Sequence, residues 1–447
     1  TYTYIRIRFD DLFPAILSAI FVIQLLRKKV SFNTRLLKPI LLFWVLVFIS
    51  YGIGYYVQHT IPWENKFVGL LHSLRRVQYM FPFFVASSVI ISEKRFFQYM
   101  KWYLTLVFIV CVYGLGQKFL RFPSIQSMNP AYVDGRLLFL NPEDRINSTF
   151  GGHFDLAAYL TLAIPVILGF YLWTKKKWYF ATFILALTSL LYTSARSSFL
   201  AYLMSTTAFL LYLKKFRVFA VVIGLTVVLL LITGDMTERF LQTIQLKTVY
   251  LNTQTGSERI DQKISVDRLP AGGYEIPLFS KRTARNVKNV DQERLRQIAL
   301  EEAMREAQEK GLRLSADQLN ARTDQIAKFI KPQQTLLCDI SCATRLQVEW
   351  PRAISAFLYG RNTTTQLDPV SILIGSGPSA LGEATDNDIL RWLGELGVLG
   401  TSVFVFILLS VLNAARFIAT KVEKNQKYVF IGFIFGIIAV VLNAIYV

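Results

Sequence analysis

The sequence predicts an all-α membrane protein, a polytopic bundle of about ten transmembrane helices with a large loop that itself contains helices. Three observations favour this fold class. The chain is 53% hydrophobic and 14% aromatic, a composition typical of multi-span membrane proteins. Apolar stretches of about 20 residues, the length that crosses a bilayer, recur along it. Basic residues are concentrated in alternate loops.

Ten apolar segments are candidate spans. Eight precede a long polar region and two follow it. Their approximate limits are 12–26, 39–56, 67–92, 102–119, 155–173, 178–195, 197–213, 216–233, 391–413 and 428–447.

The net charge of +19 follows the predicted membrane topology. Most of the basic excess lies in five short loops: 27–38, 93–101, 174–177, 214–217 and 415–427. All five fall on one side if the segments alternate, and the positive-inside rule makes that side cytoplasmic. The chain start and the loops 120–154 and 234–390 are then expected outside. This distribution indicates a membrane protein rather than a nucleic-acid-binding one.

The predicted organisation has three parts, with a helical insertion inside the second. These are 1–233 with eight helices, the extracytoplasmic loop 234–390 with its insertion 257–341, and 391–447 with the last two helices. Within the insertion, 291–330 is helical by composition, and Ser315 with Gln318 predicts a capping box. This stretch is expected to be either a solvated helical hairpin or a lid that binds the acceptor. An N-terminal segment is expected to precede Thr1, because the chain start is placed outside.

Several classes of site have no support in the sequence. There is no nucleotide-binding phosphate loop, which argues against an ATP-driven pump, and no cleavable signal peptide. The three histidines, His59, His72 and His153, lack metal-ligand spacing. We therefore expect no cofactor and no metal. A disulfide between Cys338 and Cys342 is chemically possible outside the membrane, although a spacing of four also arises by chance.

Arginines within or beside the predicted spans are candidate ligands for an anion. Arg75 and Arg76 lie inside one segment, where two adjacent charged residues cannot both face lipid. Arg196 opens the helix after a very short junction, a position that suits a phosphate or an interfacial side chain. Arg345 lies within the amphipathic stretch 342–358 and could point inward or stay at the surface. Together they favour an anionic lipid ligand such as a lipid diphosphate.

The stretch "ATDNDILRWLGELGVLG" (384–400) places acids at the start of a predicted span. Thr385 and Asp388 have capping-box spacing, and Asp386 and Asn387 also suit a helix start. Asp386 or Asp388 could instead accept a proton from a sugar hydroxyl. Glu395, two turns deeper, is a third candidate.

Another polar stretch, "NSTFGGHFDLAAYLTLAIP" (147–165), offers rival residues at the start of an earlier span. His153 and Asp155 are candidates for catalysis or sugar binding there. A capping or interfacial role explains them equally well.

Four stretches resemble the O-antigen ligase and O-antigen polymerase superfamily of bacterial membrane glycosyltransferases. They are "NSTFGGHFDLAAYLTLAIP", "TSARSSFLAYL", "TRLQVEWPRAI" followed by "ILIGSGPSA", and "TDNDILRWLGELGVLG". Each motif is short, but their order and topology match over roughly 140–413.

The resemblance implies a GT-C-like, metal-independent transferase in the bacterial plasma membrane. Its donor would be an undecaprenyl-diphosphate-linked oligosaccharide, and its acceptor a glycan or lipid-linked hydroxyl at the outer face. Arg196 and Arg345 match the family's arginines that hold the diphosphate, and Arg75 or Arg76 matches a basic residue on an earlier span.

One departure from the family pattern concerns the proposed base. Asp386 stands where ligases of this family typically carry histidine. Asp386 could replace that histidine, or Asp155 could be the base. Because this position varies more among polymerases, the resemblance slightly favours a polymerase over a ligase. A lipid-linked oligosaccharide flippase is the alternative from another class.

Overall fold

A computed structural model describes most of the chain and divides it into two compact units. The first comprises Thr1–Thr237 and Glu349–Val447, and the second Glu238–Val348. Each unit is described separately below. The described residues are 9–30, 34–126, 129–141, 144–234, 236–237, 240, 244–255, 258–260, 276–277, 285–286, 292–309, 315–338, 342, 345–360, 366–381 and 385–445.

The first unit is helical. In chain order its first nine helices are α1 (Phe9–Leu26), α2 (Leu37–Gly52, continued by a π-helical turn Ile53–Val57), α3 (Lys66–Val89), α4 (Glu93–Phe119), the short α5 (Pro130–Val133), α6 (His153–Thr174), α7 (Lys177–Tyr192), α8 (Arg196–Tyr212) and α9 (Phe216–Thr233). Two short strands, β1 (Pro123–Ser124) and β2 (Leu138–Phe139), pair antiparallel between α4 and α6.

Four further helices of the first unit follow the second unit in sequence. They are α12 (Trp350–Tyr359), α13 (Pro369–Ile374), α14 (Asp388–Lys421) and α15 (Lys427–Ala444). α15 packs closely on α6 because Gly432 and Gly436 bring its backbone against carbonyl oxygens of Pro165 and Leu162. Small residues at this spacing are typical of helix contacts in membranes.

Each of the ten predicted spans coincides with a helix, so the helical fold class is confirmed. By length and composition, six of the described helices are long and apolar enough to cross a membrane. They are Leu37–Val57, Glu93–Phe119, His153–Thr174, Phe216–Thr233, Asp388–Lys421 and Lys427–Ala444.

Two segments predicted as basic loops are largely helical instead. The stretch 93–101 forms the first turns of α4, capped by the Ser92 hydroxyl, which accepts from the Arg95 amide at 3.3 Å. The stretch 415–427 begins as the end of α14, which continues to Lys421. Lysine and arginine are good helix formers, so a helix continues past its apolar stretch wherever no breaker intervenes.

The second unit contains an antiparallel sheet that the sequence did not predict. Strands β3 (Ile244–Asn252) and β7 (Ile330–Cys338) pair along nine residues each. The sheet order is β4–β3–β7–β5, with β6 also pairing with β7. The short strands are β4 (Glu258–Ile260), β5 (Ile276–Pro277) and β6 (Arg285–Asn286).

A helical hairpin packs on this sheet within the second unit. It consists of α10 (Gln292–Glu309) and α11 (Ala316–Ala327), and its helical character and the Ser315 capping box are both confirmed. Buried residues of the two helices and of both long strands share one core: Tyr250, Ile298, Ala299, Ala303, Ile326 and Ile330. The predicted solvated hairpin therefore has an apolar face buried on a sheet, and its role as a lid stays a prediction.

The cysteines have two chemical states among the described side chains. Cys111 is a buried free thiol in α4, and Cys342 is disulfide-bonded. The predicted partner, Cys338, is described only in its backbone, so the pairing itself lies outside the described side chains.

Candidate functional site

Helix α14 is broken near its start. Gly397 has φ 63° and ψ −170°, which interrupts the helical backbone between Leu396 and Val398. The break frees carbonyl groups that a regular helix would satisfy. The loop after α13 satisfies them, because the Ser376 amide donates to Gly394 O at 2.8 Å and the Gly377 amide donates to Glu395 O at 3.1 Å.

Glycines permit this close contact between the loop and α14. A Cβ on Gly375 would lie 2.4 Å from the backbone of Glu395, and one on Gly397 would lie 2.5 Å from that of Leu373. Both residues also have positive φ, a conformation that glycine adopts at no steric cost. The stretches "GSG" (375–377) and "ELG" (395–397) are therefore two sides of one backbone contact.

Glu395, two residues before Gly397, is the centre of an ion-pair cluster. Its side chain is 1% exposed, and Arg76 of α3 donates to it through Nη2. Arg391 Nε lies 3.3 Å from its Oε1, and the Ser379 amide donates to the same oxygen at 3.1 Å. The Ser50 hydroxyl also donates to the Glu395 carbonyl at 2.5 Å. Glu395 therefore joins α2, α3, α14 and the 375–379 loop.

Other titratable groups lie within electrostatic reach of these residues. His72 interacts with Glu395, Arg391, Arg75 and Arg76. Asp388 interacts with Arg391, Glu395, Arg76 and Asp386. We call this group the Glu395 cluster; its members are His72, Arg75, Arg76, Asp386, Asp388, Arg391 and Glu395.

The start of α14 is capped by Asn387 rather than by Thr385. Asn387 Oδ1 accepts from the Leu390 amide at 2.9 Å, whereas the Thr385 hydroxyl is buried without a hydrogen-bond partner among the described residues. The predicted Thr385–Asp388 capping box is thus wrong, because the helix begins at Asp388, one residue after its cap. Asp386 is half-buried with φ 44°, outside the helix.

A second group of basic side chains gathers where α7 ends and α8 begins. Arg196 is the first residue of α8, as predicted, after a three-residue turn from Tyr192. The Ile146 amide donates to Tyr192 O at 3.2 Å, which places the 144–148 segment against this turn. Lys118 Nζ lies 5.4 Å from the centre of the Tyr192 ring and donates to Asp144 O at 3.1 Å.

The residues beside Ile146 extend this group toward the start of α6. Arg145 Nη1 lies 2.6 Å from His153 Nε2, so that imidazole nitrogen faces a permanent cation. Asp155 is exposed in the first turn of α6 and lies beside the cap residue Gly152. We call Lys118, Arg145, His153 and Arg196 the α7–α8 basic cluster.

The end of α15 connects the two clusters. Ser198, two residues after Arg196, donates to Asn443 Oδ1 at 2.8 Å. Asn387, next to Asp386, donates through Nδ2 to Ile445 O, also at 2.8 Å. The first turns of α8 and α14 therefore meet the same end of α15, and both clusters lie at one end of the bundle.

The structure brings some of the predicted site residues together and leaves one in the other unit. Arg75, Arg76, Asp386 and Asp388 belong to the Glu395 cluster, and Asn387 caps the helix that carries Glu395. His153, Asp155 and Arg196 belong to or adjoin the α7–α8 basic cluster. Arg345 lies in the second unit, where it is 6% exposed, so its grouping with the other arginines stays a prediction.

Sequence reasoning missed three of the basic side chains. Lys118 and Arg145 were overlooked because each sits in or beside an irregular loop, and Arg391 because it is one turn into a span. The signal for Arg391 was its i,i+4 spacing to Glu395. No group of three or more potential metal ligands occurs among the described residues.

No protein-family model, curated protein or solved structure matches the chain.

Proposed function

We propose that this protein is a membrane glycosyltransferase. It transfers an undecaprenyl-diphosphate-linked glycan to an acceptor hydroxyl at the outer face of the bacterial plasma membrane. The observation that carries the proposal is the meeting of the first turns of α8 and α14 at the end of α15. It puts Arg196, a phosphate ligand by chemistry, and Asp386, a candidate base, at the same end of the bundle.

The first part of the proposed chemistry concerns the lipid diphosphate. A guanidinium at the first position of a helix combines charge-assisted hydrogen bonds with the free amides of the first turn, and both favour phosphate oxygens. Lys118 and Arg145 add positive charge from neighbouring segments. The family resemblance assigns the same role to Arg345. These groups also stabilise the charge that develops on the leaving diphosphate.

The second part concerns the acceptor. Asp386 takes the proton of the acceptor hydroxyl while the oxygen of that hydroxyl attacks the anomeric carbon. The new glycosidic bond forms while the bond from that carbon to the diphosphate oxygen breaks, and lipid diphosphate leaves with the electron pair. Asp155 is the rival base. His153 is less suited to this step, since its Nε2 faces Arg145.

The proposed membrane arrangement follows the family pattern. All ten predicted helices are taken as spans of a GT-C-like bundle. The basic loops are taken to face the cytoplasm, and the loop 234–390 to face outward. Aspartate in place of the family's histidine slightly favours a polymerase of lipid-linked repeat units over a ligase.

One observation favours a second candidate, a lipid-linked oligosaccharide transporter. Discontinuous membrane helices that form the substrate site are a feature of secondary transporters, and the break at Gly397 lies beside the buried ion pairs of Glu395.

Glycan transfer by the purified full chain in nanodiscs separates these functions. Lipid-linked repeat units are supplied alone and then with a lipid-A-core acceptor. A ladder of products from donor alone indicates a polymerase, and a single mass shift on the added acceptor indicates a ligase. Absence of product in both reactions, together with donor exchange between leaflets of proteoliposomes, would replace the transferase by the transporter.

A further inference from the structure

Two buried polar atoms next to Glu395 have no hydrogen-bond partner among the described residues. They are Nη1 of Arg76 and the hydroxyl oxygen of Ser379. The other terminal nitrogen of Arg76 donates to Glu395 Oε2, and the Ser379 amide donates to Glu395 Oε1. Both unpaired atoms thus belong to residues that bind opposite oxygens of one carboxylate. A buried polar atom left unpaired destabilises the fold, so it points to a ligand that supplies the partner.

The charges around these atoms decide the class of ligand. The described part of the Glu395 cluster contains three guanidiniums, those of Arg75, Arg76 and Arg391, and all three interact electrostatically with His72. It also contains three carboxylates, those of Asp386, Asp388 and Glu395. With His72 neutral, the formal charges cancel. A phosphate or carboxylate would meet no net positive charge here, whereas a hydroxyl group can accept from Arg76 and exchange a hydrogen bond with Ser379.

The backbone at Ser379 is a further observation. Ser379 has φ 75°, in the left-handed region that residues other than glycine seldom adopt. Two features hold it there. The loop 375–379 packs on α14, and the backbone amide of Ser379 donates a hydrogen bond to Glu395 Oε1. Strained residues of this kind cluster at ligand-binding sites.

We propose that Arg76 Nη1 and Ser379 Oγ form a subsite for a hydroxyl group of a neutral sugar, and that this sugar belongs to the acceptor. The identification of this sugar as the acceptor rests on the proposed transferase function. The existence of the sugar-binding subsite does not. It assigns Arg76 to sugar recognition rather than to the diphosphate, which the α7–α8 basic cluster holds. The acceptor sugar then lies beside Asp386 and Asp388.

Binding of soluble sugars to the full chain in nanodiscs tests the subsite without any transfer reaction. Saturation-transfer NMR is recorded with galactose and N-acetylglucosamine as neutral probes and with glucuronate and inorganic diphosphate as anionic probes. The variants are Ser379→Ala, which removes one hydroxyl, and Arg76→Lys, which keeps the charge facing Glu395 but removes Nη1. Ser410→Ala is the matched control, because its exposed hydroxyl donates to Phe406 O within α14.

The expected result is binding of at least one neutral probe, weakened about three- to tenfold by Ser379→Ala, the effect of one lost hydrogen bond. Arg76→Lys weakens it similarly, and Ser410→Ala leaves it unchanged. The proposal is overturned if neither neutral probe binds, or if binding is the same in both variants as in the unmodified chain. It is also overturned if an anionic probe competes with the neutral probes at this site. If neutral sugars bind as expected while no lipid-linked glycan is ever transferred, the subsite stands and the transferase function falls.

Discussion

The Glu395 cluster and the α7–α8 basic cluster differ in how their charges are arranged. In the first, arginines face carboxylates, and the single carboxylate of Glu395 accepts hydrogen bonds from Arg76, Arg391 and the Ser379 amide. In the second, the contacts described for Lys118 and Arg145 are with a carbonyl oxygen and an imidazole nitrogen. One region therefore pairs its arginines with carboxylates, and the other places basic side chains near a helix start.

On the proposed function, the two regions bind two kinds of ligand. Basic side chains beside a helix start suit a phosphate, whereas a group of paired charges suits neutral hydroxyls through directed hydrogen bonds. A reaction that joins a sugar diphosphate to a sugar hydroxyl needs one region of each kind. Variants that act on one region and spare the other can confirm or break this division.

The largest effect is expected at Asp386, a member of the Glu395 cluster. Asp386→Asn keeps the size of the side chain but removes the oxygen that accepts the proton, so kcat should fall by about 10²–10⁴-fold. Binding of the lipid-linked donor should be retained. The measurement is single-turnover transfer in nanodiscs with saturating donor. Asp155→Asn is the matched comparison, and full activity of Asp386→Asn with loss in Asp155→Asn would move the base to α6.

A large effect on stability is expected at Glu395. Glu395→Ala removes the buried carboxylate that both Arg76 and Arg391 contact, and breaking a buried ion pair costs about 3–5 kcal/mol. Denaturant unfolding in detergent should show this loss in the free energy of unfolding. The exposed Glu423→Ala should change it by less than about 0.5 kcal/mol. Equal stability of the two variants would mean that the Glu395 cluster does not hold α3 to α14.

A smaller effect, on donor affinity, is expected in the α7–α8 basic cluster. Arg196→Ala removes a charge-assisted hydrogen bond worth about 1.5–3 kcal/mol, which weakens binding of undecaprenyl diphosphate by roughly 10- to 100-fold. Titration of the lipid into nanodiscs measures this. Arg345→Ala should behave in the same way if the family resemblance holds.

Arg217→Ala is the control for that titration. Arg217 is an exposed residue in the first turn of α9, at the opposite end of the bundle from Arg196. It should bind the lipid as the unmodified chain does. Unchanged affinity in Arg196→Ala would remove the phosphate role from the start of α8.

The smallest effect is expected at Asn387, whose side chain caps α14 and reaches Ile445 O. Asn387→Ala should cost about 1 kcal/mol of stability through the lost cap. Asn387→Asp keeps an acceptor for the Leu390 amide, so most of that loss should be recovered. Thermal unfolding of the pair measures the difference. If both variants were equally destabilised, the bond to Ile445 rather than the cap would hold this end of the helix.

The sequence predicted the helices better than their limits or the site. Hydrophobic patterning located all ten segments because each buries or exposes a continuous apolar surface. It missed β3 and β7, whose pairing joins residues far apart in the chain. Asp386 and Glu395 were recognised as acids at the start of a span. Their partners were not, because Arg76 lies 319 positions before Glu395 and nothing local links the two.

The position of the break in α14 also sets the level of the site relative to the bilayer. From Leu396 to Ala415 the helix contains no charged side chain, and these residues rise about 30 Å, which matches the thickness of the hydrocarbon layer. In the proposed membrane arrangement, Arg416 marks one boundary of that layer and Glu395 the other. That arrangement puts the turns before Gly397 in the headgroup zone, where lipid phosphates, water and sugars meet. A glycan on a membrane-held carrier could therefore approach Glu395 sideways along the membrane surface, without its sugars entering the hydrocarbon.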